Sequence, residues 1–262
     1  MAARATIGVI GGSGVAGILE ERNRKLHRVS TPWGAPSGPV EEGRVGGVRV
    51  LFLPRHGPGH TIPPHRINYR ANVDALRSLG AEAIVTVSSV GSLREELPPG
   101  TFVLPSQFVD LTKQRPTTFY DGGKVYHVSL ADPFCPDLSR AAADAGRAVG
   151  SPFAEGKTYV CVEGPRFSTR AESSFFRGFA DVIGMTLVPE VTLARERALC
   201  YACLAMVTDY DVWSAKPVDA SEIVETMARN AERMGKLLAR LLPMLAREPT
   251  CACAHALDNA GV

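Results

Sequence analysis

Asp209 and Asp211, separated by one residue, directly follow an apolar run from Leu199 to Val207. The run reads as a strand buried on both faces, and a buried strand that ends in two carboxylates is costly unless partners wait for them. In an open α/β sheet, ligands collect where strands end. Taken alone, the pair serves equally well as a helix cap or a turn. Three further stretches carry groups of the opposite preference. Gly11-Gly12-Ser13-Gly14 offers free backbone N–H groups and a hydroxyl at a helix start, a natural anion cradle. Pro54-Arg55-His56-Gly57 puts a guanidinium fork, which matches a phosphate bidentately, at a strand end. Ser88-Ser89-Val90-Gly91 is a second hydroxyl-bearing turn. Singly, each is also an ordinary turn or a surface feature.

The elements that must carry these groups follow from periodicity. Thr6 to Ile10 reads as a strand, and Val40 to Val45 with Val48 to Leu53 as a hairpin turned at Gly46-Gly47. Tyr69 to Leu79 is an amphipathic helix stopped at Gly80. Ala83 to Val87 is a buried strand, Thr101 to Asp110 strand and loop, and Val125 to Leu130 a strand carrying His127. Pro136 to Val149 forms an Ala-rich helix, Thr158 to Val162 a strand, Thr169 to Phe179 a helix and Asp181 to Gly184 a short strand. Pro189 opens a helix with Glu190 in its first turn, where the helix dipole favours an acid. Asp219 to Leu245 is a long helix, and Cys251-Ala252-Cys253 lies in a tail too polar and Ala-rich to be core.

Composition narrows the function class. The chain has 262 residues, 45% apolar and 21% charged, with a net charge of +2, which suits one globular domain acting on small molecules rather than on nucleic acid or membrane. No apolar stretch approaches the roughly 18 residues that span a bilayer. The N-terminus runs straight into a strand without a secretory signal, so a cytoplasmic location is expected. The few Asn and Gln and the 19 Pro point towards a thermophile, where intracellular disulfides are allowed.

Other chemistries were weighed on the same residues. Gly12, Gly14 and Gly17 match a dinucleotide-binding G-x-G-x-x-G, but no acid follows at the distance that would hold a ribose, which disfavours a nicotinamide oxidoreductase. His56, His60 and His65 are separated by glycine and prolines that break the helix a histidine pair would need, so no metal is expected there. Cys200 and Cys203 mimic a thiol redox motif, but residues three apart on a strand face opposite sides.

Taken together, Gly11-Gly12-Ser13-Gly14, Thr31-Pro32-Trp33-Gly34, Leu53-Pro54-Arg55-His56-Gly57, Ile67-Asn68-Tyr69-Arg70-Ala71-Asn72, Gly91-Ser92-Leu93-Arg94-Glu95, Glu163-Gly164-Pro165-Arg166-Phe167, Gly184-Met185-Thr186 to Pro189-Glu190 and Thr208-Asp209-Tyr210-Asp211 stand in the order of one family. The chain resembles the trimeric purine nucleoside phosphorylases, in the branch that cleaves 5′-methylthioadenosine and, within it, the thermophilic archaeal members. The resemblance implies a single α/β domain over 1–262, with tails at 1–4 and about 249–262. Its central sheet is mixed and partly barrel-like, flanked by helices. It also implies phosphorolysis of the nucleoside to purine and sugar 1-phosphate without metal or organic cofactor. By that resemblance Ser13, Arg55, His56, Ser88, Ser89 and Thr186 hold phosphate, Met185 lies against the ribose, and Phe167 and Ser168 lie near the base. Asp209 acts on the base at N7, with Tyr210 and Asp211 beside it. Ala220, Ile223 and Val224 line the 5′ pocket, and His127 reaches a neighbouring subunit's pocket in a trimer or a dimer of trimers. The same resemblance implies disulfides Cys135–Cys200 and Cys251–Cys253. Pro58, Ser89 and Gly38 depart from the usual Arg, Ala and Asp. A 6-oxopurine nucleoside phosphorylase is the alternative of the same class; those enzymes carry Asn where this chain has Asp209.

Overall fold

The computed structural model describes residues 5–12, 17–20, 24–214, 220–246 and 249–262. Nine strands form one sheet in the order β2-β3-β4-β1-β5-β8-β7-β6-β9, and a further β5–β9 pairing closes the last five into a ring. In chain order the strands are β1 (Thr6–Gly11), β2 (Lys25–His27), β3 (Val40–Val45), β4 (Val48–Pro54), β5 (Ala83–Ser92), β6 (Phe102–Leu111), β7 (Phe153–Val162), β8 (Val182–Gly184) and β9 (Cys200–Asp209). The helices are α1 (Tyr69–Ser78), α2 (Pro136–Ala148), α3 (Arg170–Phe176), α4 (Glu190–Glu196) and α5 (Ala220–Met244). The single α/β domain with a barrel-like mixed sheet is therefore what the chain adopts.

β9 shows why this sequence folds so. Cys200, Ala202, Leu204 and Met206 enter one core, with Leu138 and Ala142 of α2 and Leu237 and Leu241 of α5. Tyr201, Cys203, Ala205 and Val207 enter the other, with Val73 and Leu76 of α1 and Leu193 and Ala194 of α4. A strand sandwiched between two helical layers must be apolar at every position, because successive side chains leave by opposite faces. Cys200 and Cys203 accordingly sit in different cores and cannot form a redox pair.

β1 runs parallel to β4 and to β5, and β5 parallel to β9, so the C-terminal ends of all four strands emerge on one side. Ring closure brings the short strand β8 antiparallel onto the end of β5, pairing Gly91 with Ile183. A register shift between Val90 and Gly91 lets Gly91 face Asp209.

Three expectations are corrected. Val125 to Leu130 forms no strand; Tyr126 makes only an isolated bridge to Gly261. The three-residue strand β2, too short to show periodicity, was not foreseen. The C-terminal segment is docked: the Thr250 N–H and hydroxyl both donate to the Asp137 carboxylate, and Cys253, 2% exposed, joins the core of α2 and α5. Local composition misled here because the apolar surface that covers Cys253 comes from α2 and β9, distant in the chain.

Asn68 fixes the start of α1. Its Oδ1 accepts from the Ala71 N–H (3.1 Å) and its Nδ2 donates to the Trp33 carbonyl (2.7 Å), tying the helix to the turn at Thr31–Gly34. Asn68→Ala is expected to lower unfolding free energy by about 1–2 kcal/mol in urea titration. Asn68→Asp, which keeps the cap acceptor and loses the amide donor to the Trp33 and Ala35 carbonyls, should lose less.

Candidate active site

The strand ends enclose a cavity of about 390 Å3 whose wall includes Arg55, His56, Ser88, Ser89, Met185, Thr186, Phe167, Ser168, Asp209 and Asp211. Ten residues singled out from the sequence thus meet in one space. Tyr210 is not part of that wall; its ring packs edge-on against Trp213 and its hydroxyl reaches the Glu95 carbonyl at 3.4 Å. His127 lies exposed in the segment between β6 and α2, against the docked C-terminal segment, its N–H donating to the Ala260 carbonyl (2.8 Å). Ser13 and the side chains of Ala220, Ile223 and Val224 fall outside what the structure describes, although Ala231 of α5 lines the cavity beside Met206.

One side of the cavity is organised by Arg55. The residue is 2% exposed and pairs with Glu190, fully buried, at 3.0 Å. Nη1 donates to the Val87 carbonyl (2.8 Å). Nη2 donates to Glu190 Oε1 (3.2 Å), to the Ile10 carbonyl (3.4 Å) and to the Thr86 hydroxyl. Burial works against the guanidinium charge, but the Glu190 carboxylate outweighs it and holds the pKa above the usual value. The Tyr201 hydroxyl donates to Glu190 as well (2.9 Å). All three guanidinium nitrogens thus have partners inside the protein, and they cross-link the ends of β1, β4 and β5 to the start of α4.

The groups that face the cavity with capacity to spare are hydroxyls and an imidazole. Ser88 Oγ lies 3.2 Å from Thr186 Oγ1 and 3.2 Å from the Tyr159 hydroxyl. His56 stacks on His60 with centroids 4.2 Å apart, and its Nδ1–H donates to the Ile62 carbonyl (2.8 Å), leaving Nε2 as the free ring nitrogen. Burial, reinforced by the Arg55 charge, pulls the His56 pKa down from 6.5 to about 4. A dianion bound beside it would reverse that pressure.

Across the cavity stands Asp209. Its Oδ1 accepts from the Asp211 N–H (2.8 Å), and its Oδ2 lies 2.7 Å from the Thr208 hydroxyl, which also reaches the Val90 carbonyl at 3.2 Å. A hydroxyl has one proton. The Thr208 hydroxyl donates to Asp209 Oδ2 at the shorter distance, with the Val90 carbonyl as its alternative acceptor. Burial raises the Asp209 pKa, and that of Asp211 too. Asp211 is held at φ 51°, a conformation side chains seldom adopt, and this aims its N–H at Asp209. A Cβ on Gly91 would stand 3.0 Å from Asp209 Oδ1 and 3.1 Å from Ile183, so only glycine leaves the carboxyl its place.

The sequence did not disclose the roles of Glu190, Tyr201, Thr86 and Tyr159. Glu190 read as a dipole partner only, yet a carboxylate bracketed by Leu187, Val188, Val191 and Leu193 signals a buried acid in need of a cation. Nor do the expected disulfides form: all six cysteines are free, with Cys200 Sγ 3.4 Å from Cys251 Sγ and Cys253 Sγ turned to Arg195 at 3.5 Å. The sulfurs of the C-x-C pair lie within 4.8 Å of each other without a bond between them.

A closed mixed barrel, hydroxyls and an imidazole on one side of the cavity and an acid of raised pKa on the other define a class. Residues 6–243 match the family model described as the phosphorylase superfamily, and the chain belongs to that family. Within it, the chain is 54% identical over 253 residues to the S-methyl-5'-thioadenosine phosphorylase of Pyrococcus horikoshii, covering 97% of this chain and 98% of that one. It is 54% identical to the enzyme of the same name from Thermofilum pendens, with 97% of each chain covered. Among solved structures, it is similar to a methylthioadenosine phosphorylase from an antarctic soil metagenomic library (TM-score 0.92, 42% identity, 99% of this chain and 93% of that one). It is also similar to the Schistosoma mansoni methylthioadenosine phosphorylase in complex with adenine (TM-score 0.92, 34% identity, 98% and 99% covered).

Two measurements check this account of the wall. Glu190→Ala leaves Arg55 buried and unpaired and is expected to cost about 3–5 kcal/mol in denaturant unfolding; Glu190→Gln, which keeps an acceptor for Tyr201, should cost less. His56 is protonated in the unfolded chain before it is in the native one. Its contribution is therefore fully present above pH 6.5 and is lost as pH falls towards 4. In melting curves across that range, His56→Gln should show a shallower loss of Tm than the wild type.

Proposed function

We infer that this protein catalyses the reversible phosphorolysis of S-methyl-5′-thioadenosine to adenine and 5-methylthioribose 1-phosphate, a pentosyl transfer in purine and methionine salvage. The observation that carries the reading is Asp209, a half-buried carboxyl with a raised pKa that shares the cavity wall with Ser88, Thr186 and His56. Breaking the C1′–N9 bond builds positive charge on the sugar and negative charge on the leaving purine. A donor at N7 therefore stabilises the transition state more than the substrate. A protonated carboxyl supplies one donor for N7 and one acceptor for the 6-amino group, the pattern adenine presents. A 6-oxopurine would set its O6 against that acceptor oxygen, which disfavours inosine and guanosine.

Phosphate attacks C1′ from the side of Ser88, Ser89, Thr186 and His56, with Ser13 completing the cradle. Arg55 holds the strand ends that carry these groups, and its charge adds to the positive potential there. Met185 packs on the ribose, Phe167 and Ser168 border the base, and Asp211 supports Asp209 through its N–H. Met206 and Ala231 give the cavity an apolar stretch that suits a methylthio group better than a hydroxyl. Ala220, Ile223 and Val224 extend that stretch, and His127 reaches the pocket of a neighbouring subunit. Inorganic phosphate is a co-substrate, and the reaction draws on no metal or organic cofactor. The working form is a homotrimer or a dimer of trimers in the cytoplasm of a thermophile. Among the described residues, no helix is long and apolar enough to cross a membrane.

The test is release of free base from methylthioadenosine, adenosine, inosine and guanosine, with and without phosphate. Phosphate-dependent adenine release, with the highest kcat/KM on methylthioadenosine, is expected; preference for a 6-oxopurine would overturn the base assignment. Asp209→Asn should lower kcat on methylthioadenosine by about 100-fold or more, the scale of a lost proton donor in the transition state. Unchanged turnover in that variant would remove Asp209 from the chemistry.

A further inference from the structure

Behind the cavity wall lies a second buried ion pair. Arg115, in the loop that follows β6, has a side chain only 1% exposed, and its partner Glu163, 3.0 Å away, is the residue that follows β7. Neither belongs to the cavity wall itself. A guanidinium taken out of water is tolerated only when its donors are met within the protein, and here all three nitrogens are engaged. Nε donates to Glu163 Oε1 (3.0 Å), and Nη2 donates to the Glu163 carbonyl (2.6 Å) and reaches the Val162 carbonyl at 3.4 Å. Nη1 donates to the Val188 carbonyl (2.6 Å) and to the Tyr69 hydroxyl (3.1 Å), which passes its own proton to the Pro64 carbonyl (3.0 Å). Glu163 Oε2 accepts in turn from the N–H groups of Lys113 and Gln114. Burial opposes the ionisation of Glu163, but those N–H groups and Arg115 outweigh it and hold the carboxyl below its usual range.

The atoms that Arg115 grips are the backs of wall residues or their near neighbours. Pro64 and Val162 line the cavity, Glu163 begins the loop that carries Phe167 and Ser168, and Val188 follows closely on Met185 and Thr186. These pieces also touch. A Cβ on Gly164, which has φ 65°, would stand 2.5 Å from Met185 Sδ and 3.5 Å from Pro64 Cγ, so only a bare backbone lets the loop close on the methionine. A planar fork of five N–H donors can hold carbonyls and a carboxylate from several segments at once, which a Lys ammonium cannot reproduce.

The wall is thus held by two buried clamps that divide it between them. Arg55 with Glu190 ties the ends of β1, β4 and β5, on which Ser88 and His56 stand. Arg115 with Glu163 ties the loops after β7 and β8 to the turn before α1, and these carry Met185, Phe167 and Ser168. Thr186 has a tie of its own to Ser88, 3.2 Å away, so the phosphate side does not hang on Arg115.

Resting on the assignment of nucleoside and phosphate ends made above, we propose that Arg115 is a positioning residue for the nucleoside end, which with Glu163 sets the spacing between Met185 and the Phe167–Ser168 loop. It touches no substrate and acts through the loops it holds.

Steady-state kinetics of the full-length protein test this, with phosphate and nucleoside varied in turn. The nucleoside used is whichever of methylthioadenosine, adenosine, inosine and guanosine the wild type cleaves fastest. Arg115→Lys keeps the charge and loses the fork. It is expected to raise KM for the nucleoside about tenfold or more while KM for phosphate stays within about twofold. Glu163→Gln should show the same split to a smaller extent, and it decides the matter if circular dichroism shows that Arg115→Lys does not fold. Equal rises in both KM values, the mark of a generally loosened fold, would overturn the proposal, as would an unchanged nucleoside KM in a folded variant. A wild type that prefers inosine or guanosine corrects the base assignment alone, because the ratio of variant to wild type is still read on that nucleoside. A wild type that cleaves none of the four overturns both.

Discussion

The buried Arg55–Glu190 pair is the constraint on which the rest of the cavity depends. Two charges excluded from water are tolerable only when every remaining donor and acceptor is met, and here Val87, Ile10, Thr86 and Tyr201 meet them. Those partners lie on β1, β5 and β9, while the pair itself joins β4 to α4. The requirement to satisfy one guanidinium therefore sets the mutual register of the turns that follow β1, β4 and β5. It also explains why a cation in the cavity wall leaves hydroxyls as the groups that face the cavity with capacity to spare.

The opposite wall obeys a different constraint, that of backbone closeness. The register shift at Val90 and Gly91, the lack of a side chain at Gly91 and the positive φ of Asp211 together make room for one carboxyl and aim one N–H at it. Burial opposes the ionisation of Asp209 and raises its pKa against the hydrogen bonds it accepts from Thr208 and the Asp211 N–H. The closed ring of strands supplies the third ingredient. By turning β8 onto the end of β5, it carries Met185 and Thr186 to Ser88, which lies some hundred residues away in sequence.

Much of this was legible in the chain. The alternation of β9 between two cores, the start of α1 at Asn68 and the hairpin at Gly46-Gly47 follow from periodicity and turn chemistry, which act over a few residues. The anion turns and the acid pair were visible as residue types at strand ends. What escaped notice shares one property. Glu190, Tyr201 and Thr86 acquire roles only through partners far off in sequence, and Cys253 becomes core only because α2 and β9 cover it. The implied disulfides are not formed either: the cysteines named for them are gathered from three parts of the chain and all stand as free thiols.

The sequence by itself determined the layered α/β architecture, the ends of its strands and the chemical types brought to them, because hydrophobic period and local turn preference are written residue by residue. Only the tertiary structure decided which of those groups remain free. Arg55 is engaged within the wall, His56 keeps one ring nitrogen open, Asp209 has its pKa raised by burial and Tyr210 turns away. Burial, hydrogen-bond saturation and charge pairing are properties of neighbours in space, and the chain order alone does not name those neighbours.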